Sequence, residues 1–84
     1  MVSLNAVFQA GPGMSPEIAA ELSRRAAAHD ARVSLRLGDR AIRLDSLIGI
    51  LAVEMPRGSR VTVVADGPEE TAAAQDILNM LSGN

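Results

Sequence analysis

The stretch of residues 31–44 constrains the fold most, because apolar and polar residues alternate through it on both sides of a short turn. Successive side chains of a β-strand point to opposite faces of the sheet, so this alternation gives each strand one buried and one solvated face. The inward residues are predicted to be Val33, Leu35, Leu37, Ile42 and Leu44. Only Gly38-Asp39 separates the segments 31–37 and 40–44, which predicts a tight antiparallel hairpin.

Two further strands and three helices complete the predicted order of elements. The strands are Val2–Gln9 and Ser59–Asp66, and the first helix is Pro16–Ala28. The last helix is predicted to begin with Pro68 at its first position, because the fixed φ of proline suits a helix start and the first N–H of a helix has no partner within the helix. It is predicted to fray over residues 82–84. The inner faces of these two helices are predicted to consist of Ile18, Leu22 and Ala26, and of Ala73, Ile77, Met80 and Leu81.

The middle helix differs from the other two because it is apolar on nearly all sides. It is predicted within Leu44–Met55, after the capping pair Asp45-Ser46, and Gly49 interrupts it. The whole order is β-α-β-β-α-β-α, which predicts an α+β fold. One domain over residues 1–84 would then hold a four-stranded antiparallel sheet with the helices on one face.

The segment between the first strand and the first helix contains the candidate site. Gly11-Pro12-Gly13 stops the strand, and Ser15 followed by Pro16 is a typical helix N-cap. Glu17 adds negative charge in the first turn, where the helix dipole favours it. A helix N-terminus can also hold an anion such as a phosphoryl group, so the residues alone leave open a structural cap and a phosphate site.

Composition excludes several classes of function. The chain has no cysteine, no lysine, one histidine (His29) and one aromatic residue (Phe8), and its net charge is −2. Disulfides, thiolate or Schiff-base chemistry and a multi-histidine metal site are therefore excluded, and we expect no cofactor and no enzyme activity of its own. Without a basic excess or stacking aromatics we expect no nucleic-acid partner, and without a long apolar run or a signal peptide we expect a cytoplasmic protein with no membrane partner.

The order of elements and two motifs resemble the HPr family, the phosphocarriers of the bacterial phosphoenolpyruvate-dependent sugar phosphotransferase system. In that family the loop before the first helix reads Gly, aliphatic, His, Ala or Thr, Arg, Pro, Ala, Ala, and this chain keeps Gly13, Met14 and Ala19-Ala20. Ser15 takes the place of the phosphorylated histidine and Glu17 that of the arginine. The resemblance covers essentially the whole chain and implies an open-faced β-sandwich.

These departures predict that the histidine-linked relay is absent. A relay needs a reactive phosphoryl–nitrogen bond, which histidine supplies and serine does not. Glu17 would repel an incoming anion, and His29 is placed at the far end of the helix.

The second motif, Ser46 to Leu51, points to a regulatory serine. On position alone Ser46 is the N-cap of a short helix. The resemblance implies phosphorylation here by an HPr serine kinase, as in the catabolite-repression HPr-like proteins (Crh), which also lack the histidine. A phosphate would add charge beside an apolar surface, although Asp45 would repel it.

The first functional hypothesis is therefore an HPr-like regulatory or interaction protein. Its partners would be proteins of the phosphotransferase system or a transcriptional regulator, which would dock on Met14, Arg24, Leu47, Ile48 and Leu51. The alternatives are an active phosphocarrier with an unusual acceptor, Ser15 or His29, and a small-molecule-binding module of the ferredoxin-like or ACT type.

Overall fold

The hairpin predicted from the alternation forms the centre and one edge of a four-stranded sheet. The computed structural model describes residues 1–83. Its elements are β1 (Val2–Val7), α1 (Pro16–Ala27), β2 (Arg32–Leu37), β3 (Arg40–Arg43), α2 (Leu47–Leu51), β4 (Arg60–Asp66) and α3 (Glu70–Leu81). This order confirms the predicted α+β class and the β-α-β-β-α-β-α succession.

The sheet has the strand order β1-β4-β2-β3, and every neighbouring pair is antiparallel. The register aligns the apolar residues across all four strands: Leu4 lies opposite Val63, Val63 opposite Leu35, and Leu35 opposite Ile42. One face of the sheet is therefore continuously apolar, and the other face is free for polar side chains.

The three helices cover the apolar face. α3 packs across β1 and β4, α1 packs on α3 and α2, and α2 packs against β3. The fully buried large side chains are Phe8, Leu22, Leu35, Leu44, Ile50, Val63, Ile77 and Leu81. No helix within residues 1–83 has the length and apolar content needed to cross a bilayer.

The first helix buries a slightly different face from the predicted one. Ala19 is fully buried beside Leu22 and Ala26, whereas Ile18 is only half-buried. Ile18 packs instead over the opening loop, since a Cβ at Gly11 would lie 2.9 Å from its Cδ1.

Three elements are shorter than predicted. β1 ends at Val7 rather than Gln9, and α2 is only five residues long because the chain leaves the helix after Leu51 and buries Met55. α3 begins at Glu70, two residues later than predicted, with Glu69 as its N-cap.

The late start of α3 has a local cause. The Glu69 N–H donates to the Asp30 carbonyl at 3.0 Å, and the Asp30 N–H donates to the Glu69 carboxylate at 2.6 Å. These bonds hold Glu69 against the entry to β2 and outside the helical conformation. At the other end α3 finishes at Leu81 with Ser82 as its C-cap, and the predicted fraying of Asn84 falls outside the described residues.

Candidate functional site

Ser15 lies where the opening loop enters α1. Its hydroxyl accepts the Ile18 N–H at 3.3 Å, which confirms the predicted N-cap. The preceding loop is held against the segment after α2, because the Arg57 N–H donates to the Pro12 carbonyl at 3.3 Å. The half-buried Ser15 side chain therefore has a structural role in starting the helix.

Glu17 occupies the first turn of α1, two residues after Ser15, and is exposed. A carboxylate at this end of a helix is stabilised by the helix dipole. It also places a negative charge at the mouth of the loop, where an arriving phosphoryl group would need a cation. The local geometry is thus that of a capped helix with an acidic first turn.

His29 lies beyond the opposite end of α1. Fourteen residues separate it from Ser15 in the sequence, which at the rise of an α-helix corresponds to about 21 Å. Its Nε2 lies 3.0 Å from Asp76 Oδ2, and Arg25 Nη1 donates to Asp76 Oδ1 at 3.2 Å. Asp76 therefore ties the end of α1 to α3, and His29 belongs to that link.

Ser46 is the N-cap of α2. Its hydroxyl accepts the Gly49 N–H at 3.2 Å, and its side chain is exposed. A Cβ at Gly49 would lie 3.2 Å from the Ser46 Oγ, so the glycine keeps one side of the hydroxyl open. The oxygen is bound by a backbone donor and remains accessible to solvent.

An apolar surface directly follows Ser46 in α2. It consists of Leu47, Ile48 and Leu51, whose exposed fractions are 43%, 83% and 42%, and it is named the α2 patch below. Exposed apolar side chains that lie together mark interaction surfaces in soluble proteins. The structure thus brings Ser46 and three of the predicted docking residues onto one short helix.

The other two predicted docking residues are less available. Met14 is half-buried and packs against the core. Arg24 is exposed on α1, but its Nη2 donates to Glu21 Oε2 at 2.7 Å within the same helix.

Two contacts at these sites were not foreseen from the sequence. Arg43 Nη2 donates to Asp45 Oδ2 at 2.6 Å, so the carboxylate beside Ser46 has a cationic partner. The contact between His29 and Asp76 joins residues that are distant in the sequence, and no local sequence pattern indicates it. Among residues 1–83 the His, Asp and Glu side chains form no cluster of three that could hold a metal ion.

Sequence comparison connects this arrangement with a known family. The family model described as "PTS HPr component phosphorylation site" matches residues 3–82. The matched range contains Ser15, Glu17 and Ser46.

Three similar solved structures have the same fold. The histidine-containing phosphocarrier protein of Mycoplasma is 20% identical with a TM-score of 0.84, covering 94% of this chain and 90% of that one. HPr of Bacillus anthracis str. Ames is 18% identical with a TM-score of 0.86, covering 95% of each chain. Crh of Bacillus subtilis, described as a catabolite repression containing protein in a swapped dimer, is 21% identical with a TM-score of 0.77, covering 96% and 93%.

Proposed function

The chain belongs to the PTS HPr family of phosphocarrier proteins, and we propose that it is a regulatory or interaction protein of that system in which the histidine relay is lost and Ser46 is the control site. The observation that carries this proposal is the placement of Ser46. Its exposed hydroxyl caps α2 immediately before the α2 patch.

The chemistry at Ser15 supports the loss of the relay. A phosphoserine ester transfers its phosphoryl group far less readily than a phosphoryl–nitrogen bond, so a group placed on Ser15 would stay there. Both serines cap a helix, but the Ser15 side chain is half-buried whereas that of Ser46 is exposed, so Ser46 is the more accessible of the two hydroxyls.

The charge at Glu17 supports the same proposal. Family members use an arginine at this position to hold the phosphoryl group, and a carboxylate reverses the sign of that interaction. His29 does not compensate, because Asp76 holds it at the other end of α1.

Phosphorylation of Ser46 would change what the α2 patch can bind. A phosphoserine carries about −1.5 to −2 charges at neutral pH, and this charge would lie beside three exposed apolar side chains. A partner that buries the patch would then have to desolvate a dianion, whereas a partner with arginines near the patch would gain charge-assisted hydrogen bonds. Phosphorylation of Ser46 would thus weaken binding of apolar partners and strengthen binding of partners that carry arginines near the patch.

The Arg43–Asp45 contact lowers the main electrostatic objection to this site. Asp45 alone would repel a phosphate on the next residue, but it is paired with Arg43 at 2.6 Å. The proposed partners are therefore an HPr serine kinase that modifies Ser46, and phosphotransferase-system proteins or a transcriptional regulator that read the modification. The role is proposed for the cytoplasm, whose reducing conditions suit a chain without cysteine.

Incubation with an HPr serine kinase and ATP, followed by intact mass measurement, tests the control site. We expect one acid-stable phosphoryl group on the unaltered chain and on Ser15→Ala, and none on Ser46→Ala. Absence of a mass gain, or a gain that survives Ser46→Ala, would rule out Ser46 as the control site.

A further inference from the structure

β1 is an edge strand without the usual protection against pairing with another chain. The sheet order places it at one end of the sheet, and its six residues contain neither a charge nor a proline. The opposite edge, β3, is only four residues long and carries Arg40 and Arg43. Short length, charge, proline and a covering helix or loop are the devices that block strand addition. The end of α3 bonds only beyond β1, where the Gln9 N–H donates to the Leu81 carbonyl at 2.7 Å, so β1 itself is the edge open to an added strand.

The hydrogen-bond pattern identifies the backbone groups on the free side of β1. The Phe8 N–H donates to the Ser59 carbonyl at 2.9 Å, so Phe8 bonds toward β4. Bonding alternates along an antiparallel ladder, which directs the N–H and C=O groups of Ser3, Asn5 and Val7 away from β4. A strand added here would bond to these three residues.

The side chains of the same three residues lie on the open face of the sheet. Asn5 is opposite Thr62, whose hydroxyl donates to the Asn5 side-chain Oδ1 at 3.2 Å. A groove of about 930 Å³ follows the free edge of β1 and continues over this face. It extends from Leu78 of α3 and Ser82, the C-cap of that helix, to Gly38 in the β2–β3 turn.

The groove has positive charge and no compensating negative charge. Arg36 and Arg60 line it, and its lining contains no aspartate or glutamate, although the whole chain has a net charge of −2. Arg36 is opposite Thr62, and Arg60 precedes Thr62 by two residues on the same face. Both are exposed, and none of the ion pairs within residues 1–83 engages either of them.

We propose that β1 accepts an extended acidic segment of a partner protein as a fifth strand. The backbone of the segment would bond to Ser3, Asn5 and Val7, and its carboxylates on the open face would pair with Arg60 and reach toward Arg36. An added strand would lie about 10 Å from β4, which the combined lengths of an arginine and a glutamate side chain span.

Charge complementarity favours an acidic segment over a basic segment or a second copy of this chain as the added strand. A basic segment would be repelled by Arg36 and Arg60, since the groove lining contains no carboxylate to offset their charge. The β1 strand of a second copy contains no carboxylate, so it would satisfy the edge but leave both arginines unpaired. The groove lining contains neither Ser46 nor any residue of α2, so we expect its occupancy to be independent of phosphorylation at Ser46.

Titration of the amide NMR spectrum with a blocked synthetic peptide of alternating glutamate and valine tests the proposal. The comparison peptide has glutamine in place of glutamate. We expect the glutamate peptide to shift the amides of Ser3, Asn5 and Val7, and the glutamine peptide to bind at least about tenfold more weakly, since charged hydrogen bonds are the stronger ones.

Four variants locate the contacts. Arg60→Gln is expected to weaken binding of the glutamate peptide about threefold, whereas Arg40→Gln, at an exposed arginine outside the groove lining, leaves it unchanged. Asn5→Pro removes one N–H of the free edge without removing a bond to β4, and it is expected to abolish binding that Asn5→Ala retains.

Three results would overturn the proposal. The first is a set of peptide-induced shifts confined to the α2 patch. The second is equal affinity of the two peptides, or of Arg60→Gln and Arg40→Gln. The third is β1 shifts that depend on protein concentration without peptide, because a second copy would then cover the edge. The Arg60 comparison decides the matter if Asn5→Pro fails to fold.

Discussion

Replacing Gly67 by alanine is predicted to destabilise the joint between β4 and α3 strongly. Gly67 has φ +148°, and a Cβ there would lie 2.8 Å from the Ala31 Cα and 2.9 Å from the Asp30 carbonyl oxygen. Both neighbours are backbone atoms, so they cannot move aside as a flexible side chain would. A disfavoured backbone conformation costs about 1–3 kcal/mol and overpacking about as much again, which together give about 4 kcal/mol.

Gly38→Ala is the matched control, because Gly38 also has a positive φ, +57°, but has no atom within 4 Å of its would-be Cβ. We expect it to cost only about 1 kcal/mol, the ordinary price of the left-handed conformation for alanine. Each kcal/mol lowers the melting temperature of a domain this small by about 4–8 °C, so Gly67→Ala should melt at least about 15 °C below the unaltered chain.

The assay is urea and thermal unfolding followed by far-ultraviolet circular dichroism, since the chain has no tryptophan or tyrosine to report by fluorescence. Equal destabilisation by Gly67→Ala and Gly38→Ala would refute the reasoning. In that case the positive φ alone, and not the contact with residues 30 and 31, would account for the loss.

Three other substitutions test the described sites. Ser15→Ala is expected to lower the free energy of unfolding by about 1 kcal/mol in urea titration, while Ser15→Asp, which can still cap α1, retains most of it; equal losses would contradict the capping role. Asp76→Asn is expected to cost about 1 kcal/mol by removing a partly buried link between α1 and α3, against less than about 0.5 kcal/mol for Asp45→Asn at an exposed pair, and the reverse order would contradict this assignment. Gly49→Ala is expected to favour the helix by about 1 kcal/mol and yet to slow kinase modification of Ser46, because its Cβ crowds the hydroxyl; an unchanged phosphorylation rate would show that the open side of Ser46 is not used.

The elements were largely predictable because their signals are local. Alternation in residues 31–44 fixed the hairpin, and the four-residue spacing of Ala73, Ile77 and Leu81 fixed the buried face of α3. The predicted start of α3 was wrong. Pro68 satisfies the local rule for a first helical residue, but the start is set by hydrogen bonds between Glu69 and Asp30, which are far apart in the sequence.

The contacts of the candidate site were predictable only where the two residues in contact are close in sequence. The Ser15 and Ser46 caps each involve a residue three positions away, and both can be inferred from residue type. The link between His29 and Asp76 spans 47 residues and depends on how α1 packs on α3. The exposure of β1 likewise depends on strand order, which no local pattern in residues 2–7 reveals.

The loss of the histidine relay is tested most directly by incubation with phosphoenolpyruvate and the first enzyme of the phosphotransferase system. A histidine-bearing HPr in the same reaction serves as the positive control, and intact mass is measured before and after acid treatment. The account predicts an acid-labile phosphoryl group on the control and none on this protein. An acid-labile group on this protein, at His29 or elsewhere, would contradict it.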